Sequence, residues 1–204
     1  MNLCLTTLYT KNYSNFAPIA IKSFEKFCEK YDANIVVYDS LIDSNKHPSW
    51  NKLLAIQECF YNHDFVFWCD IDSLYIDNEE NFFNVNNLFH KHFVAYDDGN
   101  GLCASHLFMK NKDFNIKLIE SLLFLGDVKD NNRFGNPDPK WEQNALKALL
   151  DHFNLPIDYF SKKTIINYDQ KNDFDINTSF IHYHTISSAE KEWRMVSDFN
   201  LFYS

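Results

Sequence analysis

The sequence predicts an α/β domain built on a mainly parallel central sheet flanked by helices. Short β-branched or apolar runs alternate with amphipathic segments through the first 70 residues, the pattern of strand–helix–strand units. One run, Phe65-Val-Phe-Trp-Cys69, is apolar without a break, as a strand covered on both faces must be. The composition, 46% hydrophobic and 23% charged over 204 residues, suits a chain that buries a real core. No repeat, low-complexity linker or shift in composition divides it, so one domain spanning 1–204 is expected.

The elements follow in order. Asn2 to Thr7 reads as a first strand ending in the polar Thr6, Thr7 and Tyr9. A helix capped by Ser14 and entered through Pro18 carries Ile21, Phe24, Phe27, Cys28 and Tyr31 on one face. Ala33 to Tyr38 is a β-branched second strand. Ser49 caps a second helix in which Trp50, Leu53, Leu54, Gln57, Phe60 and Tyr61 recur at helical spacing. After the strand Phe65 to Cys69, strands are expected at Phe93 to Tyr96, Leu107 to Lys110, Ile165–Ile166 and Phe180 to His184. Phe114 to Leu125 and Trp141 to Phe153 read as helices. Between them Gly126 to Lys140, rich in Asn, Asp and Pro, is long enough for a mobile substrate loop. The aromatic stretch Trp193 to Tyr203 packs back on the domain, with contact to a lipid-linked acceptor or another chain as the alternative.

Twenty Phe and only four Gly are unusual, since average chains carry about 7% Gly. So few glycines exclude most phosphate-cradling loops. Gly99-Asn-Gly101-Leu-Cys-Ala104 formally matches a dinucleotide fingerprint, but Asp97 and Asp98 would repel a pyrophosphate and a strand follows. The net charge of −9 argues against a nucleic-acid partner. An acidic protein that handles phosphates would do so through a divalent metal. Five dispersed cysteines without a CxxC pair indicate a reducing compartment. No signal peptide and no transmembrane stretch is read, so a cytoplasmic protein is expected, in a bacterial cytosol or as a viral protein in host cytoplasm.

The sharpest chemical feature is Asp70-Ile71-Asp72, delivered by the apolar strand to the crevice where open α/β sheets bind ligands. Two carboxylates one residue apart repel unless a cation joins them, and a divalent ion with oxygen ligands also bridges to a diphosphate. The plainer alternative is a pair of loop carboxylates. His182 and His184 share one face of a late strand, and imidazole is a normal ligand for Mn²⁺; a strand histidine is equally often a satisfied core residue. Glu142 either contacts a ligand or is simply an acid favoured in a first helical turn. Asp97 and Asp98 either bind hydroxyls or make a turn. Lys52 either offsets phosphate charge or is solvated.

Trp50-x-Lys52 followed by Asp64-Phe-Val-Phe-Trp-Cys-Asp70-Ile-Asp72 resembles the core of GT-A-fold glycosyltransferases, the galactosyl-, mannosyl- and xylosyltransferase group in particular. The resemblance implies a Rossmann-like sheet, with residues 1–100 as the nucleotide-binding half and 101–204 as the acceptor side. It implies Mn²⁺ or Mg²⁺ held by Asp70, Asp72 and His184 against the diphosphate of a nucleotide sugar, most simply a UDP-sugar. His184 is preferred over His182 for its spacing to Lys191, which would meet the diphosphate. Thr6, Thr7, Leu8 and Tyr9 would form the base and ribose pocket, with Asp39 and Lys52 also at the nucleotide. Trp141-Glu142-Gln143 resembles an element near the donor sugar, so Glu142, with Asp98, would contact the sugars or act in catalysis. The partners implied are a nucleotide sugar and a glycan or glycolipid acceptor, with peripheral membrane contact left open. The sequence departs from the family at Cys103 to Met109, which lacks an expected Asn-x-Gly. Haloacid-dehalogenase-type phosphatases also place D-x-D after an apolar strand, but Ser73-Leu74 and a full βαβα unit upstream argue against them. A catalytically inactive sugar-nucleotide-binding module is the third reading.

Overall fold

Leu3–Leu8 (β1) is buried at all six positions because both faces of the strand are covered. Leu3 and Leu5 face one core and Cys4 and Leu8 the other. Phe65–Cys69 (β3) repeats this, with Phe65 and Phe67 on the first side and Val66 and Trp68 on the second. The computed structural model describes residues 2–78, 80–127, 141–184 and 186–203. The expected substrate loop falls almost wholly on 128–140 and so lies outside the described residues.

Around these two strands stand Asn34–Tyr38 (β2), Ser73–Tyr75 (β4), Phe93–Asp97 (β5), Leu102–Lys110 (β6), Asp158–Tyr159 (β7), Ile165–Asn167 (β8) and Phe180–His182 (β9). The central sheet runs β2-β1-β3-β6-β5-β7. Its pairings β1–β2, β1–β3 and β5–β7 are parallel, and β6 is antiparallel to both neighbours. A smaller sheet, β4-β9-β8, was not anticipated, nor was β4. The strands at β8 and β9 were expected, but the three residues of β4 give too little alternation to read.

The helices are Ala17–Tyr31 (α1), Pro48–Phe60 (α2), Phe82–Asn86 (α3), Asp113–Asp127 (α4), Glu142–His152 (α5) and Ser188–Tyr203 (α6). The two expected caps move. Ser14 donates to the Lys11 carbonyl within a 3-10 turn, and α1 begins after Phe16 with Pro18 in its first turn. At α2 the cap is His47, whose Nδ1 accepts from the Ser49 amide, and Pro48 takes the first helical position. Tyr61, expected on the buried face, is the exposed C-cap residue. α4 approaches α2 closely at Gly126, where a Cβ would lie 2.8 Å from the Trp50 ring. At the end of the chain Met195 is buried and Phe199 and Phe202 pack on the core, as expected, while Trp193 and Leu201 stay exposed. No helix among the described residues is long and apolar enough to cross a membrane.

Phenylalanine abundance has its explanation in the first core. Phe27 of α1 lies within 6 Å, ring centroid to centroid, of Phe67, Phe82, Phe83 and Phe180. One aromatic cluster thus joins α1, β3, α3 and β9, and fixes the small sheet against the large one.

Candidate active site

A cleft of about 580 Å³ opens at the C-terminal ends of β1 and β3. Asp70, Ile71 and Asp72 follow β3 directly, and the main chain then enters β4. The antiparallel pairing of β4 with β9 sets Ser73 opposite His182, and the Tyr183 amide donates to the Asp72 carbonyl at 2.8 Å. Parallel pairing of β8 with β9 sets Asn167 beside His182. The small sheet is therefore the device that carries a residue from far along the chain to the Asp70–Asp72 turn. Ligand atoms of Asp70, Asp72 and His182 all lie within 4.8 Å of one another.

His182 is buried, and its Nδ1 stands 3.1 Å from Asn167 Oδ1. An amide oxygen only accepts, so Nδ1 donates to it, and Nε2 faces Asp72 Oδ1 at 3.5 Å. His184 was expected in this place. It stands exposed beyond the end of β9, its ring stacked on His182 at 5.3 Å, and it lines the cleft without joining the three-residue cluster. The strand ends at His182, so the two-residue alternation that pairs the histidines does not extend that far.

Asp72 is held by Lys191 of α6, whose Nζ donates to Oδ2 at 2.5 Å. Burial alone would raise the Asp72 carboxyl, but His182, where its Nε2 also carries a proton, and Lys191 outweigh it and hold it well below the usual carboxylate range. Asp70 moves the other way. Burial raises it, and the neighbouring Asp72 charge adds to that against the opposing pull of Lys52. Two carboxylates one residue apart thus have opposite environments.

Lys52 is neither solvated nor at liberty to meet a phosphate. It is 5% exposed, and Nζ lies 3.1 Å from Asp70 Oδ1, 2.9 Å from Glu142 Oε1 and 2.6 Å from the Ala104 carbonyl. An ammonium has three protons, and three protein acceptors take them. Burial would lower Lys52, but Asp70 and Glu142 more than reverse this and hold it above its ordinary value. Asp70 Oδ1 also accepts from Trp68 Nε1 at 2.6 Å.

The Ala104 backbone is available because β6 departs from β5 there. Pairing jumps from Ala95↔Leu107 to Tyr96↔Cys103, leaving Ala104, Ser105 and His106 without partners on β5. Their backbone serves the site instead. The Ala104 amide donates to Gln143 Oε1 at 2.8 Å, and the Ser105 carbonyl accepts from the Asp70 amide at 2.8 Å. This is the stretch that lacks the expected Asn-x-Gly.

Of the other expected residues, Leu8, Tyr9, Glu142 and Lys191 line the cleft. Thr6 and Thr7 do not; they are buried inside β1, whose alternation turns both into the cores flanking the sheet. Asp39 is exposed after β2 and is not part of the cleft wall. Asp98 is also absent from the wall, and its Oδ1 accepts from the Asn100 amide. With Asp97 it stitches the turn to Gly99 and Gly101, both at positive φ. Both carboxylates of that segment are thus engaged in its turn. Sequence reasoning missed Tyr13, His47, Ser49 and Ser105 on the wall, and the role of Asn167. Only His47 carried a signal, in the His-Pro that opens α2.

No family model and no curated protein sequence matches the chain. Solved structures do. A glycosyltransferase involved in glycosylation of the major capsid of PBCV-1 aligns with TM-score 0.78 at 12% identity over 97% of this chain and 100% of its own. The galactosyltransferase LgtC, solved with donor and acceptor sugar analogues, aligns at 0.55 and 12% over 98% and 96%. The glycosyltransferase GlyE of Streptococcus pneumoniae aligns at 0.60 and 12% over 99% of this chain and 62% of its own. The chain has the GT-A-type fold these glycosyltransferases share.

Proposed function

We propose that this chain is a metal-dependent glycosyltransferase that moves a hexose or pentose from a nucleotide sugar, most simply UDP-linked, to a glycan or glycoconjugate. The observation that carries the reading is the convergence of Asp70, Asp72 and His182 at the strand ends of this fold. When bound there, a divalent ion supplies positive charge against the leaving diphosphate.

The remaining work belongs to the chain. Asn167 fixes the His182 ring so that Nε2 stays an electron-pair donor. Lys191 reaches Asp72 from the cleft wall and supplies a cation to the departing phosphate within a side-chain rotation. Tyr9 and Tyr13 offer flat surfaces to the base. Glu142, fixed by Lys52, presents its carboxylate to the donor sugar. The phosphatase alternative has no support from the fold, which is shared with glycosyltransferases. Five free, buried cysteines accord with a reducing, cytoplasmic setting.

The test is thermal stabilisation by UDP-, GDP- and CMP-sugars, each with and without Mn²⁺. A hundredfold excess over Kd contributes about 2.7 kcal/mol, roughly 5–10 °C for a chain of this size. A shift for one nucleotide class that needs Mn²⁺ supports the proposal and names the base. No shift with any of them overturns it. Binding without turnover on any acceptor turns the chain into the inactive module.

A further inference from the structure

We propose that Trp141 is the platform on which a pyranose ring of the acceptor stacks, so that the acceptor is a carbohydrate engaged by its C–H face. This deepens the glycosyltransferase reading and rests on it. Of the large apolar side chains left exposed among the described residues, Trp141, at 43%, alone lines the cleft. The others stand on outer surfaces. An indole kept at the wall of a cleft otherwise rich in charged and hydrogen-bonding groups suits a ligand with one apolar face and a polar rim, which is the character of a sugar ring.

The ring is positioned. His47 meets it edge-on at 5.0 Å and 80°, and His47 is itself fixed by Ser49 at the start of α2. The loop that delivers His47 is pinned by the buried Asn51. Its Oδ1 accepts from the Asp43 amide at 2.8 Å, and its Nδ2 donates to the Asp43 and His47 carbonyls. Preorganisation of this kind lowers the cost of ordering an aromatic contact on binding.

Its location separates it from the nucleotide. Tyr9 and Tyr13 pack against the core that contains α1, and Lys191 reaches the cleft from α6, which is anchored in that same core through Met195. Trp141 stands at the start of α5, whose Ala145 and Leu146 belong to the opposite core with α2. Next along the chain is Glu142, assigned above to the donor sugar. A ring on Trp141 would therefore lie on the α2–α5 side of the cleft beside Glu142, away from the α1 side assigned to the nucleotide, and that side is left for an acceptor.

The test titrates the wild type, saturated with UDP and Mn²⁺, with lactose, maltose, cellobiose and mannobiose while following tryptophan fluorescence. Transfer kinetics are then measured for Trp141→Ala and Trp141→Phe with the best acceptor. The proposal expects a saturable fluorescence change with at least one disaccharide that is lost in Trp141→Phe. It also expects an acceptor KM raised about tenfold in Trp141→Ala with kcat changed far less, and most of that loss recovered by Phe. An unchanged acceptor KM in Trp141→Ala overturns it. So does wild type that binds UDP with Mn²⁺ while no sugar perturbs its fluorescence, and that result leaves the transferase reading standing. Wild type that binds neither nucleotide nor sugar removes both.

Discussion

Replacing Lys52 by Met tests the central claim about the site, that its lysine is an internal counter-ion and not a surface charge. Met keeps the length and apolar volume of the side chain, so packing against Trp68 survives and only the ammonium is lost. The loss strands Glu142, whose side chain is 5% exposed, while Asp70, at 30%, still reaches cleft water. Breaking a buried pair by removing one partner costs about 3–5 kcal/mol. Because one of the two stranded carboxylates is partly wet, the lower end applies, about 3 kcal/mol. At roughly 2–4 °C per kcal/mol this lowers Tm by about 6–12 °C. Urea denaturation followed by far-ultraviolet dichroism measures it, with Glu142→Gln and the double variant completing a cycle. Glu142→Gln in the Lys52→Met background should restore at least ~1 kcal/mol, a coupling that independent sites do not show. A loss under about 1 kcal/mol in Lys52→Met, or strictly additive single effects, refutes the counter-ion argument.

Asp72→Asn should abolish Mn²⁺-dependent stabilisation by nucleotide sugar and lower transfer about a hundredfold or more while the protein still folds, as nucleotide thermal shifts and turnover would record. Burial, then the neighbouring His182, pushes the His106 imidazole well below its ordinary value, so it stays neutral in the folded chain while the unfolded chain binds a proton below about pH 6.5. Stability therefore falls as pH drops below that value, by about 1.4 kcal/mol per unit from this residue, and the difference between wild type and His106→Gln in urea melts from pH 6.5 to 5 should show that slope. All five cysteines are free and buried, and burial, with Glu25 second, pushes the Cys28 thiol up to about 12. Ellman's reagent at pH 8 should label under one thiol per native chain within minutes and five in urea; rapid labelling of two or more would contradict the burial of these thiols.

What the sequence disclosed and what it hid divide along one physical line. The strand Phe65–Cys69 was legible to the residue because continuous burial leaves continuous apolarity. The carboxylates after it were legible because they break that run. Lys52 was visible as a lysine on a helix, but its burial was not, since a charge goes inside only when distant partners await it. Those partners, Asp70 and Glu142, lie far along the chain. His182 was passed over for His184 because spacing along the chain was the only ruler available. The deciding fact was the pairing of two three-residue strands, Ser73↔His182, too short to print a period. Thr6 and Thr7 show the same limit from the other side. Polar residues at a strand end read as ligands, yet here Thr7 and Thr6 are turned into the interior, one and two residues short of Leu8 at the rim.

The unexpected register shift in β6 connects these cases. A strand paired to β5 throughout would spend the Ala104 amide and carbonyl on the ladder, and Lys52 would lose one of its three acceptors and Gln143 its donor. The shift releases both groups at the level of Asp70, and the Ser105 carbonyl closes on the Asp70 amide in the same place. The irregular stretch is thus where α2, α5 and the Asp70–Asp72 turn are tied together, by backbone atoms that no sequence motif records.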